Sequence, residues 1–257
     1  MRIVVCVKQV PSSSEVRLDP VTHTIVRDGR QSVLNPFDLY ALALAAVLKA
    51  SLGGEVVALS MGIPQTEALL RDAIARGVDR AVLLSDRAFA GADTLATSYT
   101  LSRGIARLGG ADLILCGKMA VDGDTAQIGP ELAEQLGWPH VTDVQAIQSI
   151  QKDAAVVQRQ SEHGIDTLRV PLPAVLCVNK GVAQPQMPSI AGVRRSLAAP
   201  VDIWTAQDVQ AESSRIGLIG SPTQVVSTDV PEHTHRAVYW QGNAQELAAK
   251  LLEEVRA

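Results

Sequence analysis

The sequence predicts an α/β fold with a doubly wound, mostly parallel sheet and helices on both faces. The first observation is a series of short, nearly continuous apolar runs, which are typical of strands covered on both faces. The second is that segments with helical periodicity separate these runs. Such alternation favours a parallel sheet, whose ligands usually lie beyond the carboxyl ends of the strands. The third is that 47% of the 257 residues are hydrophobic and only 3% are aromatic, so a large aliphatic core is possible.

Five apolar runs have the length of strands. They cover residues 3–7, 55–60, 81–85, 112–116 and 174–178. None of them alternates strictly between apolar and polar residues, so we expect each strand to be buried on both faces. These five runs predict the parallel part of the sheet.

Helical patterns fill the gaps between the first strands. Residues 39–47 carry apolar side chains at i, i+3, i+4, i+7 and i+8, which form one face of a helix. Asn35 and Pro36 precede this stretch and suit an N-cap and a first helical turn. Pro64 can open a second helix, which Gly77 would end.

The second half of the chain is less regular. Asp93 can cap a third helix, and apolar residues from Ile128 onward predict a fourth that ends near Gly137 and Pro139. Two strand-like runs, 154–160 and 167–170, predict a β-hairpin.

The C-terminal part predicts an arm rather than a second core. From about residue 184 prolines multiply, and the segment up to residue 239 has weak periodicity. A long stretch of this kind is typical of an arm that packs on another chain. A last helix is predicted for residues 244–255.

Composition excludes several classes of protein. The net charge is −4, from 23 basic and 27 acidic residues, so no broad cationic surface for nucleic acid is expected. No apolar stretch approaches the roughly 20 residues of a membrane span. The apolar run at the N-terminus is too short for a signal peptide. Cys6, Cys116 and Cys177 each lie in an apolar run, which favours reduced, buried thiols in a cytoplasmic protein.

The stretch after the fourth strand carries the most informative motif, GKMAVDGDTAQIGPELAEQLGWP, at residues 117–139. Gly123 would let the backbone turn tightly or approach a ligand closely. Asp124 or Thr125 can cap the following helix, with Gln127 as the return half of a capping box. The free N–H groups of that first turn would favour a phosphate. Pro130 then requires a distorted helix or a later helix start.

Other interpretations of this motif remain open. A capped turn with no ligand fits the stretch as well as a phosphate site does. A calcium loop lacks further oxygen ligands, and Asp122 and Asp124 could form an acid–base pair, although exposed carboxyls usually ionise normally. The absence of G-x-G-x-x-G and of a P-loop argues against a classical nicotinamide dehydrogenase or a P-loop NTPase. His233 and His235 lack a third ligand nearby and fit a solvated loop better than a metal site.

Five stretches occur in an order that resembles the β subunit of electron transfer flavoproteins over nearly the whole chain. They are VCVKQVP (5–11), SVLNPFDLYALALA (32–45), ARGVDRAVLLSD (75–86), LILCGKMAVDGDTAQIGPELAEQLGWP (113–139) and RQSEHGIDTLRVPLPAVLCV (159–178). The last stretch departs from the family pattern at His163 and Asp166, which lie near the predicted hairpin tip.

The resemblance implies a heterodimer with an α subunit that holds the main flavin. It also implies an adenine nucleotide in this chain, which is AMP in ordinary carriers and a second FAD in electron-bifurcating members. Ordinary carriers tend to have DDDCNQTG where this chain has DGDTAQIG. The smaller Gly123, Thr125 and Ala126 are similar to the bifurcating group and could admit FAD. In such complexes the flavin of the β subunit takes a hydride from NADH and passes single electrons to two acceptors.

The resemblance implies a set of site residues by matched position. Cys6 would lie near the adenine, and Met61 would line the same pocket from the second strand. The other cofactor-binding positions are Asn35, Pro36, Phe37, Asp38, Gly117, Lys118, Met119, Ala120, Val121, Asp122, Gly123, Asp124, Thr125, Ala126, Gln127 and Ile128. No catalytic residue and no metal ligand is implied.

The resemblance also implies partners. Residues 1–192 would form the nucleotide-binding domain, with a recognition loop near 184–192, and residues 193–257 an arm on the α subunit. Met187, Pro188, Ser189 and Ile190 match the segment that contacts a partner, which would be an acyl-CoA dehydrogenase or a quinone-linked flavoprotein. An alternative within the family is a carrier with structural AMP. An alternative of another class is a stand-alone adenine-nucleotide-binding module.

Overall fold

The computed structural model describes residues 1–12, 32–227, 237 and 239–256, and it divides the chain into two compact units, Met1–Val225 and Val226–Ala257. The strands are β1 (Arg2–Cys6), β2 (Gln9–Pro11), β3 (Ser32–Leu34), β4 (Glu55–Met61), β5 (Arg80–Leu84), β6 (Leu113–Gly117), β7 (His140–Ile150), β8 (Ala154–Ser161), β9 (Gly164–Pro171), β10 (Ala174–Val178) and β11 (Val201–Trp204). The helices are α1 (Pro36–Leu52), α2 (Glu67–Ala75), α3 (Thr94–Arg107), α4 (Ile128–Leu136), α5 (Ile190–Ala198) and α6 (Ala244–Arg256). Helix α6 belongs to the second unit.

One nine-stranded sheet forms the centre of the first unit. Its strand order is β11-β5-β4-β1-β6-β10-β7-β8-β9. All neighbours from β11 to β7 are parallel, and only β8 and β9 join in antiparallel fashion. The predicted doubly wound, mostly parallel fold is therefore confirmed. A small separate sheet pairs β2 with β3.

Helices cover both faces of the sheet because successive strand residues point to opposite sides. Val5 lies in the apolar cluster that also contains α1 and α2 residues, whereas Val4 and Cys6 lie in the cluster with α3 and α4 residues. The central strands are buried on both sides, as their continuous apolar runs predict.

The chain reverses its winding direction between β1 and β6. From β1 it passes through α1 to β4 on one side, and from β6 it passes through α4 towards β7 on the other side. The carboxyl ends of β1 and β6 are neighbours. They therefore form a topological switch point, which is where open α/β sheets place their ligands.

Elements that carry little periodicity were not predicted from the sequence. Helix α5 and strand β11 lie where only weak periodicity was noted, and β11 pairs with β5 at the edge of the sheet. Strand β7 was also missed, and its pairing shifts register where Asp143 adopts a positive φ of 55°. Within the described ranges, no helix combines the length and the apolar character that crossing a bilayer requires.

Candidate functional site

Three segments meet at the switch point. They are the residues after β1, the start of α1, and the connection from β6 to α4, which we call the β6–α4 loop (residues 118–127). Residues 121–127 of this loop are exposed. Met61 ends β4, which is the other neighbour of β1. The structure therefore brings all four predicted cofactor-binding segments to the same edge of the sheet.

Asn35 joins α1 to the β6–α4 loop. It occupies the N-cap position of α1, as predicted, but its side chain makes no capping hydrogen bond to that helix. Its Nδ2 donates to Asp38 Oδ1 (2.9 Å) and to the backbone oxygen of Met119 (2.8 Å). Its Oδ1 accepts a hydrogen bond from the Val121 N–H at 3.2 Å. Asn35 is only 1% exposed; its bond to Asp38 is buried, and its two bonds to the loop are partly buried.

Asp38 is the most strongly perturbed carboxyl group of this site. Burial raises its pKa to about 7, although N–H donors from the Asn35 side chain and from the Lys8 and Gly117 backbones favour the charged form. The Lys8 N–H lies 2.7 Å from Asp38 Oδ2. Asp38 can approach the end of β6 only because residue 117 is a glycine, since a Cβ at that position would lie 2.4 Å from Asp38 Oδ1.

Lys8 is a site residue that the sequence analysis missed. Its Nζ lies 2.6 Å from Asp122 Oδ1, so it joins the end of β1 to the β6–α4 loop. A lysine two residues after the first strand, at the carboxyl edge of a parallel sheet, is the signal that could have pointed to it. Because Asp122 is held in this ion pair, the interpretation of Asp122 and Asp124 as an acid–base pair loses its support.

The β6–α4 loop contains a tight turn followed by strained backbone. The Ala120 oxygen accepts hydrogen bonds from the N–H groups of Gly123 (3.3 Å) and Asp124 (2.8 Å). Asp124 and Ala126 have positive φ angles of 51° and 55°, which are uncommon for residues other than glycine. Gly123 does not have a positive φ, and a Cβ there would meet nothing closer than Lys8 Nζ at 3.9 Å. The turn itself therefore does not require a glycine at position 123.

The predicted cap of α4 is wrong. The helix begins at Ile128, its N-cap is Gln127, and no side chain caps it. Asp124 and Thr125 lie too far before the helix to cap it, because the positive φ of Ala126 breaks the path. Pro130 consequently falls in the first turn, where a missing N–H costs nothing. Among the described residues, the N–H groups of Thr125, Ala126 and Gln127 donate to no protein acceptor.

A second polar cluster borders the loop on the β10 side. Lys118 Nζ lies 2.6 Å from Asp143 Oδ1, and Asn179 Nδ2 lies 3.5 Å from the same oxygen. The Lys180 ammonium stands 5.9 Å from the centre of the Phe37 ring, at the start of α1. Asp143, Asn179 and Lys180 were not predicted. Asp143 lies within β7, and Asn179 and Lys180 follow β10. Their nearness to the loop follows from the order of the strands in the sheet, which the sequence did not predict.

The three thiols form a row beneath α4. Cys6, Cys116 and Cys177 are register partners on β1, β6 and β10, and all three are buried and free. A hydrogen bond with Cys6, together with burial, raises the pKa of Cys116 well above its usual value, and burial does the same for Cys177. These two thiols are therefore protonated and poor nucleophiles at neutral pH. A Cβ at Gly129 would lie 2.1 Å from Cys177 Sγ, so α4 approaches β10 through a glycine.

The predicted partner-binding residues lie before and at the start of α5, and two of them expose large apolar side chains. Met187 is 85% exposed and Ile190 is 84% exposed. Between them, Pro188 is partly buried, and the Ser189 hydroxyl caps α5 by accepting a hydrogen bond from the Gly192 N–H at 3.0 Å. In the described part of the chain, no group of three or more His, Cys, Asp or Glu side chains is suited to a metal ion. His233 and His235 lie outside the described residues.

These features define a doubly wound α/β protein with a candidate ligand site at its switch point. The profile of the electron transfer flavoprotein domain matches residues 22–209. The chain is 43% identical to the electron transfer flavoprotein subunit beta of Thermoanaerobacterium thermosaccharolyticum, over 100% of this chain and 98% of that protein. The chain belongs to the electron transfer flavoprotein family and is of the β-subunit type.

Two further relatives have other printed names. The caffeyl-CoA reductase-Etf complex subunit CarD of Acetobacterium woodii is 45% identical over 90% of this chain and 88% of that protein. Protein FixA of Bradyrhizobium diazoefficiens is 39% identical over 99% of this chain and 91% of that protein. The family suggested by the five sequence stretches is therefore confirmed.

Proposed function

We propose that this chain pairs with an α subunit, binds FAD at the switch point and passes electrons through the resulting heterodimer, with electron bifurcation as its activity. The observation that carries the proposal is the β6–α4 loop, which is exposed, has unpaired N–H groups among its described residues and lies at the switch point. The matched family supplies the class of ligand.

The residues present suit the phosphates of an adenine nucleotide. The N–H groups of Thr125, Ala126 and Gln127 can donate to phosphate oxygens, and the uncapped start of α4 adds its helix dipole. Lys8 neutralises Asp122, so this loop carboxylate does not repel an anion at full strength. Cys6 and Met61 would contribute the apolar side of the pocket, near the adenine. The remaining loop residues would surround the ribose and phosphates.

FAD is proposed over AMP because of the room around Gly123. An added Cβ at that position would meet only Lys8 Nζ, at 3.9 Å, so the surface of the loop is open there. When bound, a flavin would supply one- and two-electron chemistry that no side chain of this chain supplies. The chain would position it, shield it from solvent and tune it with neighbouring dipoles and charges. No side chain is proposed as catalytic.

We further propose two partner surfaces. Residues 193–257 are proposed as the arm that would contact the α subunit, although residues 193–225, including β11, belong to the first compact unit. Helix α6, described by itself, exposes Leu251, Leu252 and Val255 on an amphipathic helix. Residues 187–190 would contact an acyl-CoA dehydrogenase or a quinone-linked flavoprotein, and NADH would be the electron donor. The relative named as a subunit of a caffeyl-CoA reductase-Etf complex supports a CoA-ester oxidoreductase as partner. The proposed compartment is the cytoplasm.

The test is a count of cofactors in the purified complex. The chain is co-expressed with an electron transfer flavoprotein α subunit, and FAD and AMP are quantified after denaturation. Two FAD per heterodimer support the proposal, whereas one FAD and one AMP would show an ordinary carrier with structural AMP. A soluble monomer that binds ATP and forms no heterodimer would instead favour the stand-alone module.

A further inference from the structure

Two sets of contacts hold the β6–α4 loop. Lys118 bonds to the Val178 oxygen and pairs with Asp143, and the residues that follow contact the side chains of Asn35 and Lys8. Asn35 bonds to the backbone of Met119 and Val121, and Asp38 packs on Gly117, the last residue of β6 before the loop. Asp38 also accepts a hydrogen bond from the backbone N–H of Lys8, and the Lys8 side chain forms an ion pair with Asp122 of the loop. The residues after β1, the start of α1 and the β6–α4 loop therefore all contact the amide–carboxyl pair that Asn35 and Asp38 form.

This pair does not serve the usual purpose of its residue types. An asparagine at an N-cap normally bonds to the N–H groups of its own helix, a contact worth about 1 kcal/mol. Asn35 instead directs both polar atoms of its side chain to Asp38 and to the loop. A carboxyl group that is only 5% exposed likewise costs stability unless its hydrogen bonds compensate. Asn35 therefore contacts the loop in place of its own helix, and Asp38 accepts hydrogen bonds from Asn35 and from the N–H group of Lys8, the two residues that contact the loop.

We propose that Asn35 and Asp38 are positioning residues, a buried pair that holds the β6–α4 loop in its nucleotide-binding shape and acts through the loop. This inference rests on the proposed function and deepens it. Its consequence is that the affinity for the nucleotide depends on two side chains whose hydrogen-bonding atoms are already satisfied inside the protein.

The titration of Asp38 provides a readout that a general packing role would not change. Charged or titratable groups around it are Lys8, Asp122 and the thiols of Cys6 and Cys116. Because the pKa of buried Asp38, about 7, is above that of a hydrated carboxyl, the closed loop binds a proton more tightly than an opened loop. Opening that hydrates Asp38 therefore becomes harder as the pH falls through 7.

The experiment uses the purified heterodimer with Asn35→Ala, Asp38→Asn and the control Thr100→Val. Thr100 is fully buried, but its hydroxyl bonds to Ala96 within α3 and does not touch the loop. Amide hydrogen exchange reports protection at Val121 and Lys8, and titration with AMP and with FAD reports affinity.

We expect Asn35→Ala to lower protection at Val121 and nucleotide affinity by about tenfold each, since leaving buried groups unpaired costs on the order of 1–3 kcal/mol. The control should change neither. Wild-type protection at Lys8 should rise from pH 8 to pH 6, and Asp38→Asn should remove that rise.

Reduced affinity with unchanged protection would overturn the inference, because it would indicate direct contact with the nucleotide. Reduced protection with unchanged affinity would also overturn it. If the variants do not fold, a flat wild-type pH profile still decides against it. If the wild type binds neither AMP nor FAD, the proposed function fails, and the exchange data alone decide whether the pair sets the shape of the loop.

Discussion

Replacing Gly117 with alanine tests how closely α1 is packed against the end of β6. The added Cβ would lie 2.4 Å from Asp38 Oδ1 and 2.8 Å from both the carbonyl carbon and the Cβ of Phe37. Real Cβ contacts are never that short, so the start of α1 or the strand must move. Overpacking of this kind costs about 1–3 kcal/mol. We therefore expect Gly117→Ala to lower the free energy of unfolding by about that amount.

The matched control is Gly123, a second glycine, which lies in the β6–α4 loop that follows β6. A Cβ at Gly123 meets only Lys8 Nζ at 3.9 Å, and its φ is not positive, so Gly123→Ala should change stability by less than about 0.5 kcal/mol. Urea unfolding followed by circular dichroism measures both variants. With a slope of about 2 kcal/mol per molar urea, Gly117→Ala should unfold about 0.5–1.5 M earlier than wild type. Equal midpoints for the two variants would refute the packing argument.

Three further predictions concern the loop, the buried carboxyl and the partner surface. Ala126→Asn should stabilise the protein by about 0.5 kcal/mol in urea unfolding, because asparagine tolerates the positive φ of 55° better than alanine; a loss of stability would show that the side chain clashes. The stability that protonated Asp38 contributes is fully present below pH 3.8 and is lost as the pH rises through 7. The urea midpoint of wild type, compared with that of Asp38→Asn, should therefore decrease as the pH is raised from 4 to 8. A constant difference would contradict the raised pKa. Met187→Ala should slow electron exchange with the partner dehydrogenase about fivefold or more at unchanged flavin content, whereas Val47→Ala on α1 should not. Equal stopped-flow rates for the two variants would remove the role of Met187.

The sheet was predictable because its strands are continuous apolar runs. The run at 174–178 coincides with β10, and the other four runs lie within one residue of the observed strands. Asp93 caps α3 through the Ala96 N–H, as its position predicted. Strand β11 has only four residues and is partly exposed at the sheet edge, so its pattern carries no comparable signal. Periodicity reports burial within one element and says little about short edge elements.

The sequence predicted which segments share the edge of the sheet at the candidate site, but it did not predict the hydrogen bonds and ion pairs between them. Residues at the carboxyl ends of parallel strands must share an edge, which brought Cys6, Asn35 and Gly117 together correctly. Lys8 and Asp143 were missed because each pairs with a residue at least 25 positions away in sequence. The cap of α4 was wrong because local rules favour Asp124 as a cap, and those rules do not include the bonds that Asn35 makes to the loop.

Several departures from local rules lie at the switch point. Asn35 does not cap its helix, Asp38 is buried as a carboxyl, and two residues of the loop adopt positive φ angles. Each of these features costs on the order of 1 kcal/mol or more. Elsewhere Asp93 and Ser189 cap their helices in the ordinary way. The chain follows the local rules at α3 and α5 but breaks them at the β6–α4 loop. This difference supports the proposal that nucleotide binding, and not stability, sets the shape of the loop. The bond from Asn35 to Val121 is the contact through which that shape would be selected.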